Sequence, residues 1–359
     1  MRPHLRGVFA IPGDLAAPTG GYAYARRVLA LLPGLRVLTL PDSFPEPSQA
    51  DLAETHRLLD SVPPDCPLLI DGLAYGALPL SVLTGIRAPI AVLVHHPLCL
   101  ESGIPPARAA ELHALERAAL SRAASVIATS TDTAETLIAD FAVPPSRLSV
   151  APPGTEPAAR AACAGSPPHL LAIGAMSPRK GYRILVGALA MLRDLPWHLS
   201  IVGALDRNPG EATALAAEIA ANSLQNRITL AGVLSDTALA ALTRTADIFV
   251  IASLHEGYGM AAADALAHGL PIVATNAGAL AQTIPDAACL RAEPSDAVSL
   301  AAALRRMLTD PTCRSACADA SWLAGQSLPR WDDTARAIAA VLDSLRSKRM
   351  MTEGGTPEV

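Results

Sequence analysis

The chain has 359 residues, 51% of them hydrophobic and only 17% charged, with a net charge of −5. That length is too great for one typical core and natural for two domains, and the acidic balance gives no electrostatic footprint for nucleic acid. No apolar run reaches membrane-spanning length and no signal-peptide pattern opens the chain, so a soluble cytoplasmic protein is expected.

From Leu5 to Val150 short apolar runs alternate with longer helical patterns. Strands are expected at Leu5–Ile11, Leu35–Leu40, Pro67–Asp71, Pro89–His95, Ser125–Thr129 and Arg147–Val150. Helices are expected between them, at Tyr22–Leu32, Gln49–Ser61, Pro106–Ala123 and Asp132–Phe141. Alternation of this kind specifies a mostly parallel sheet wrapped by helices.

A stretch rich in Pro, Ala and Gly follows, from Ala151 through Pro168, and reads as an interdomain linker. The alternation then restarts. Strands are expected at His169–Gly174, Trp197–Gly203, Arg227–Ala231, Ala246–Ala252 and Pro271–Thr275. The intervening helices are Gly181–Leu192, Glu211–Asn222, Asp236–Thr245 and Met260–His268, and Pro294–Leu308 with Thr312–Gly325 close the half. The expected division is residues 1–160, then 161–328, then a C-terminal helix over 329–346 that returns to the first domain, then a disordered polar tail over 347–359.

Cysteine and lysine usage narrows the chemistry. The six cysteines form no CxxC pair, and Cys313 with Cys317, one helical turn apart, lack companion histidines, so no metal site is expected. Lysine occurs only at Lys180 and Lys348, against 26 arginines, which draws attention to position 180. Residues 1–165 hold 12 Arg, no Lys and 15 acids, so peripheral contact with the inner face of a membrane stays open without support from charge.

The most informative segment runs from Ser253 to Thr275. It reads as strand end, glycine loop, helix, tight turn and strand. Gly257 and Gly259 let the backbone approach a ligand closely, Met260 opens an Ala/Leu-rich helix, and Gly269 is a natural stop. Free N–H groups and the positive end of a helix dipole then lie at the C-terminal edge of a parallel sheet, a setting for a phosphate or diphosphate. Glu256 stands just before the loop and Asp264 lies inside the helix.

Acid, Gly, aromatic Tyr258, Gly, a second acid eight residues on, then Gly-x-Pro-Ile-Val-Ala-Thr resembles the nucleotide-sugar signature of the retaining glycosyltransferases of family 4. That resemblance implies the α/β GT-B fold, two Rossmann-like doubly wound domains facing a central cleft. It implies that Glu256 contacts the donor sugar and Asp264, shorter than the family's usual Glu, the ribose. The loop Ala172–Gly181 resembles the family's phosphate-binding Arg/Lys loop: Lys180 carries over directly, and Arg179 substitutes for an Arg that the family often has where Ala175 stands. Gly20 and Gly21 match the glycine-rich first loop, and a plain βα turn is an equal reading. His95 fits a histidine that the family often has at this strand end near the donor sugar, with His96 beside it. Gly203 ends a strand where the family stacks its nucleobase, with Asp206 and Arg207 as rival base contacts. Gly154 reads as hinge geometry. Glu101 is the place to look for acceptor selectivity, while Asp71 and Asp247 are acids with no partner visible in sequence.

The resulting expectation is a retaining, metal-independent, hexosyltransferase-like enzyme with no cofactor. It moves a sugar from a nucleoside-diphosphate sugar to a glycan, lipid-linked or small-molecule hydroxyl acceptor in polysaccharide or glycoconjugate synthesis. The catalytic set is His95, Lys180 and Glu256. The donor set adds Gly20, Gly21, Arg179, Gly203, Gly257, Tyr258, Gly259, Met260 and Asp264, and the acceptor side His96 and Glu101. The alternatives are a nucleotide-sugar-binding scaffold that has lost transfer, motivated by Ala175 and Asp264, and an inverting enzyme of the same fold.

Overall fold

The computed structural model describes residues 6–353, with side chains described to residue 347. The chain divides into two compact units, one of residues 1–17, 21–154 and 330–359, the other of residues 18–20 and 155–329. Each is a six-stranded, wholly parallel sheet with helical crossovers. In the first, β1 (Gly7–Pro12), β2 (Leu35–Leu40), β3 (Leu68–Asp71), β4 (Ile90–Val94), β5 (Ser125–Ala128) and β6 (Leu148–Val150) are ordered β2-β1-β3-β4-β5-β6. In the second, β7 (His169–Ile173), β8 (His198–Val202), β9 (Ile228–Gly232), β10 (Ile248–Ile251), β11 (Ile272–Thr275) and β12 (Cys289–Ala292) are ordered β12-β11-β10-β7-β8-β9.

These orders place the functional edges. In the second unit the chain runs outward from β7 through β8 to β9, then jumps back to β10 on the other flank of β7. The loops leaving β7 and β10 therefore diverge at a switch point, where open α/β sheets leave a crevice beyond the strand C-termini. In the first unit the switch lies between β1 and β3, with β4 next to β3.

The core strands are short and apolar because both of their faces are covered. Leu68, Leu69 and Ile70 of β3 and Ile248, Phe249 and Val250 of β10 are at most 1% exposed. The helix Met260–Ala267, which carries the glycine loop at its start, is held from behind by the helix Pro311–Ser327. That contact depends on a glycine: a Cβ at Gly325 would stand 2.4 Å from the Leu266 carbonyl oxygen. Gly325→Ala is expected to lower the unfolding free energy by about 1–3 kcal/mol through overpacking, measured by denaturant unfolding; an unchanged midpoint would mean the helices slide apart freely.

The helix Trp331–Glu353 belongs to the first unit. It buries Ala335, Ile338 and Leu342, and the Thr334 hydroxyl donates to the Pro152 carbonyl at 2.6 Å. Gly154 meets its start so closely that a Cβ would lie 2.1 Å from the Trp331 nitrogen, so close approach is the reason for glycine there. Thr155 N donates to Pro329 O at 2.8 Å, which brings the two ends of the second unit side by side. The expected disordered tail is corrected over its first part: residues 347–353 continue the helix, consistent with the helix propensity of Lys, Arg and Met there. Residues 354–359 lie outside the described residues, as does Leu5 of the first expected strand.

Two further differences have plain causes. β12 was not expected, since Cys-Leu-Arg-Ala has no alternation and becomes a strand only by pairing with β11. Asp247, apparently alone in sequence, accepts from Gly165 N at 2.6 Å and His169 N at 2.7 Å, and so fastens the end of the linker to the start of β7.

Candidate functional site at the strand edges

At the switch point of the second unit, β7 leads into Ala175–Gly181 and β10 into Ala252–Gly259. The two loops are tied together: Leu254 N donates to Arg179 O at 2.7 Å, and Arg179 Nη1 donates to His255 O at 2.8 Å. Glu256 lies between them, only 7% exposed. Its Oε1 accepts from Lys180 Nζ at 2.6 Å and from Ser253 Oγ at 2.6 Å, and its Oε2 lies 3.3 Å from Arg179 Nη1. Arg179, Lys180 and Glu256, expected to act on one ligand, are thus brought together.

Burial by itself pushes the Glu256 carboxyl up. The Lys180 ammonium, the Arg179 guanidinium and the hydrogen bonds from Lys180 and Ser253 together overcome it and hold the group down at about 2. The cluster brings two cations to the end of the sheet beside one buried carboxylate. Low-dielectric surroundings strengthen such charges, and a positive, preorganised site is what a departing diphosphate requires.

Glycines set the close approaches. Gly181, at φ +63°, lies where a Cβ would be 2.1 Å from the Ala252 carbonyl oxygen, so the start of the helix Tyr182–Ala190 sits directly against the end of β10. A Cβ at Gly174 would meet Lys180 Cε at 2.6 Å, so the lysine stem lies across a bare backbone. Gly203, at φ +152°, abuts the Gly174 carbonyl, with 2.0 Å left for a Cβ. Gly259, at φ +93°, is the left-handed residue before the helix Met260–Ala267.

The remaining second-unit residues surround this centre. Gly257 is buried, and Met260 is half-buried at the helix start. The Tyr258 carbonyl accepts from Thr283 Oγ1 at 2.6 Å, and burial pushes the Tyr258 phenol up to about 12. Asp264 is half-buried one turn into the helix, and its carbonyl accepts from His268 N at 3.1 Å. Asp206 and Arg207 are both exposed beyond β8.

In the first unit, the ends of β1, β3 and β4 converge on His95. Gly21 is the second residue of the helix Gly20–Leu31, whose first residue is grouped with the second unit, and a Cβ at Gly21 would touch the His95 ring at 3.4 Å. Tyr24, one turn on, meets the same ring edge-on, centroids 5.3 Å apart. Thr129 Oγ1 donates to the His95 carbonyl at 3.2 Å. Asp71, at the end of β3, caps the helix Gly72–Tyr75 by accepting from Leu73 N at 2.8 Å, and its other oxygen lies 3.7 Å from His95 Nε2. His96 faces Glu101 instead, Nε2 to Oε2 at 3.4 Å.

Glu116 is buried beneath the loop that follows His96. Its Oε2 accepts from Leu98 N at 2.9 Å, and burial pushes the carboxyl up to about 8, the hydrogen bond acting in the opposite direction. Sequence reasoning passed over Glu116, Ser253 and Tyr24, and singled out Asp71 without a partner. Ser253 carried a local signal, a hydroxyl three residues before Glu256 at a strand end. The others lie on neighbouring elements and carry none.

Comparison with known proteins identifies the family and the fold. Residues 8–154 match the family model described as glycosyl transferase 4-like domain, and residues 167–310 match glycosyl transferases group 1. The chain is 31% identical over 284 residues to the MMP alpha-(1->4)-mannosyltransferase of Mycolicibacterium hassiacum, a match covering 75% of this chain and 68% of the relative. Matches to other curated relatives cover about half of their length. Among solved structures, the sucrose-phosphate synthase of Thermosynechococcus elongatus superposes with a TM-score of 0.80 at 20% identity, covering 96% of this chain and 100% of that one. Anabaena HepE in complex with UDP-glucose superposes with a TM-score of 0.73 at 17% identity, covering 94% and 99%.

Proposed function

The chain belongs to the group 1, family 4-like glycosyltransferases of the GT-B fold, and from that premise we propose a nucleoside-diphosphate-sugar-dependent transfer to a hydroxyl acceptor, with retention at the anomeric carbon and without a metal ion. The observation that carries the reading is the Arg179–Lys180–Glu256 cluster at the switch point of the second sheet. Two cations and the N-terminus of the helix Met260–Ala267 suit a diphosphate. A buried carboxylate among them suits sugar hydroxyls, which donate to it as it stays ionised.

In this reading the Gly257–Gly259 backbone and the Lys180 and Arg179 side chains hold the diphosphate. Glu256 orients the sugar, Asp264 takes the ribose, and Gly203 leaves room for the base against the backbone. Tyr258 and Met260 shape the start of the loop. His95 acts at the transferred sugar, with Gly20 and Gly21 admitting the donor, and His96 and Glu101 contact the acceptor. The C1–phosphate bond breaks as the acceptor oxygen bonds to C1 on the same face, and the acceptor proton passes to the leaving phosphate oxygen. Positive charge from Lys180 and Arg179 meets the charge that develops there, the need a metal would otherwise serve. In this reading the transfer serves polysaccharide or glycoconjugate synthesis.

The test is a thermal-shift panel of UDP, GDP, ADP and TDP with their common sugars, followed by turnover of each binder. A ligand at a hundred times its dissociation constant adds about 2.7 kcal/mol to the native state. Turnover should persist in EDTA, and the product anomer read by NMR should match the donor. An inverted product refutes retention, loss of activity in EDTA refutes the metal-free reading, and binding without donor consumption makes the chain a binding protein.

A further inference from the structure

His95 Nε2 is buried and has no hydrogen-bond partner among the described residues. An orphaned buried nitrogen is rare in folded proteins and calls for a cause. The nearest charged group is the Asp71 carboxylate at 3.7 Å, itself only 5% exposed. That distance is too long for a hydrogen bond, yet catalytic hydrogen bonds are often long in unliganded proteins and tighten on binding. The ring is also boxed in, by Tyr24 on its edge and by Gly21, where a Cβ would stand only 3.4 Å from Nε2, while the Thr129 and Thr133 hydroxyls donate to the His95 carbonyl at 3.2 and 3.5 Å. The imidazole is therefore held with one particular nitrogen toward the acid.

We propose that Asp71 is a positioning residue for His95, fixing the neutral ring as the Nε2–H tautomer so that Nδ1 is the nitrogen left to accept a hydrogen bond from a substrate hydroxyl. The inference rests on the reading above that gives His95 a part in transfer. Its physical basis is one-sided: an ionised carboxylate only accepts, so the nitrogen facing it must carry the hydrogen. The division of labour within Asp71 makes the idea testable. One oxygen is committed to the Leu73 N–H, the cap of the helix Gly72–Tyr75. In Asp71→Asn the amide oxygen keeps that cap, which Asn serves as well as Asp, and the NH₂ then faces Nε2. The ring must accept there, and its hydrogen moves to Nδ1.

The experiment is long-range ¹H–¹⁵N NMR of histidine-labelled protein at about pH 8.5, where an ordinary imidazole is neutral. The His95 signal is assigned by its loss in His95→Asn. The wild type should show Nε2–H and Asp71→Asn should show Nδ1–H. Transfer by Asp71→Asn should fall roughly 100-fold in kcat, in the range for a misplaced proton donor or acceptor, with donor KM and Tm little changed. An Nδ1–H tautomer in the wild type, the same tautomer in both proteins, or full activity in Asp71→Asn would overturn the proposal. The wild-type tautomer needs only the His95→Asn assignment, so a poorly folding Asp71→Asn leaves the decisive measurement intact. His95→Ala separates the two readings: wild-type activity there removes His95 from transfer, whatever the tautomer proves to be.

Discussion

Lys180→Ala is expected to reduce kcat/KM at least about 100-fold, the scale seen when a preorganised charge-stabilising donor is removed. The reason extends beyond the lost contact with a diphosphate. Lys180 is the closer of two cations on the buried Glu256, at 2.6 Å against 3.3 Å for Arg179. Removing it leaves the carboxylate with Arg179 and the Ser253 hydroxyl alone, and breaking a buried pair costs about 3 kcal/mol. The variant should fold with a lower unfolding midpoint. Its acid sensitivity should change too. A carboxyl held at about 2 stabilises the native state above its ordinary value of 4.5, and that stability is lost as pH falls from 4.5 toward 2. Without Lys180 the folded-state value rises and the acid-dependent contribution shrinks. Steady-state kinetics with equilibrium unfolding at pH 7 and pH 4 check both effects, and wild-type turnover would remove Lys180 from the site. Lys180→Arg should recover part of the stability but less of the activity, because a planar fork does not replace a compact ammonium.

Glu116 should give the opposite pH signature, of comparable size. In the unfolded chain its carboxyl loses its proton near the ordinary value of 4.5, whereas the folded protein holds it to about 8. Between those limits the native state binds more protons, so stability falls as pH rises, by roughly 5 kcal/mol at most across the whole window. Above about 8 an ionised Glu116 stays buried, with the Leu98 N–H donating to it at 2.9 Å. Glu116→Gln keeps a carbonyl acceptor for that N–H and cannot ionise. The wild type should therefore lose unfolding free energy from pH 5.5 to 8.5, and the variant should lose much less. Parallel pH profiles for the two proteins would show that Glu116 titrates normally.

Much of the architecture was legible because buried parallel strands are short apolar runs bounded by turn residues. Ile248–Ile251 is one, and the expected strand around it missed only by its ends. The helix Asp236–Thr245 was bounded as read, with Ser235 capping Ala238 N. The glycine loop was legible for a different reason, since positive φ at Gly259 and Gly269 leaves a mark in residue type. What sequence could not supply was pairing across distance. Lys180 and Glu256 are 76 residues apart and meet because β7 and β10 are neighbours, an order no local pattern encodes. Asp71 looked partnerless because its histidine stands at the end of the adjacent strand. The roles of the site residues in binding and transfer come from chemistry and resemblance, and the experiments above decide them.

The path of the chain has a consequence for how the protein is made. The second unit, apart from residues 18–20, is a continuous insert whose ends meet at the hydrogen bond from Thr155 to Pro329. The first unit is its host and is interrupted: Ile338 and Leu342, both fully buried, leave the ribosome only after the whole insert has emerged. Domains generally fold as units during synthesis. The insert can thus reach its native state while the host, begun earlier, still waits for the helix Trp331–Glu353. Nascent chains stalled so that residue 329 has cleared the exit tunnel should show a protease-resistant second unit beside a first unit that is still cut.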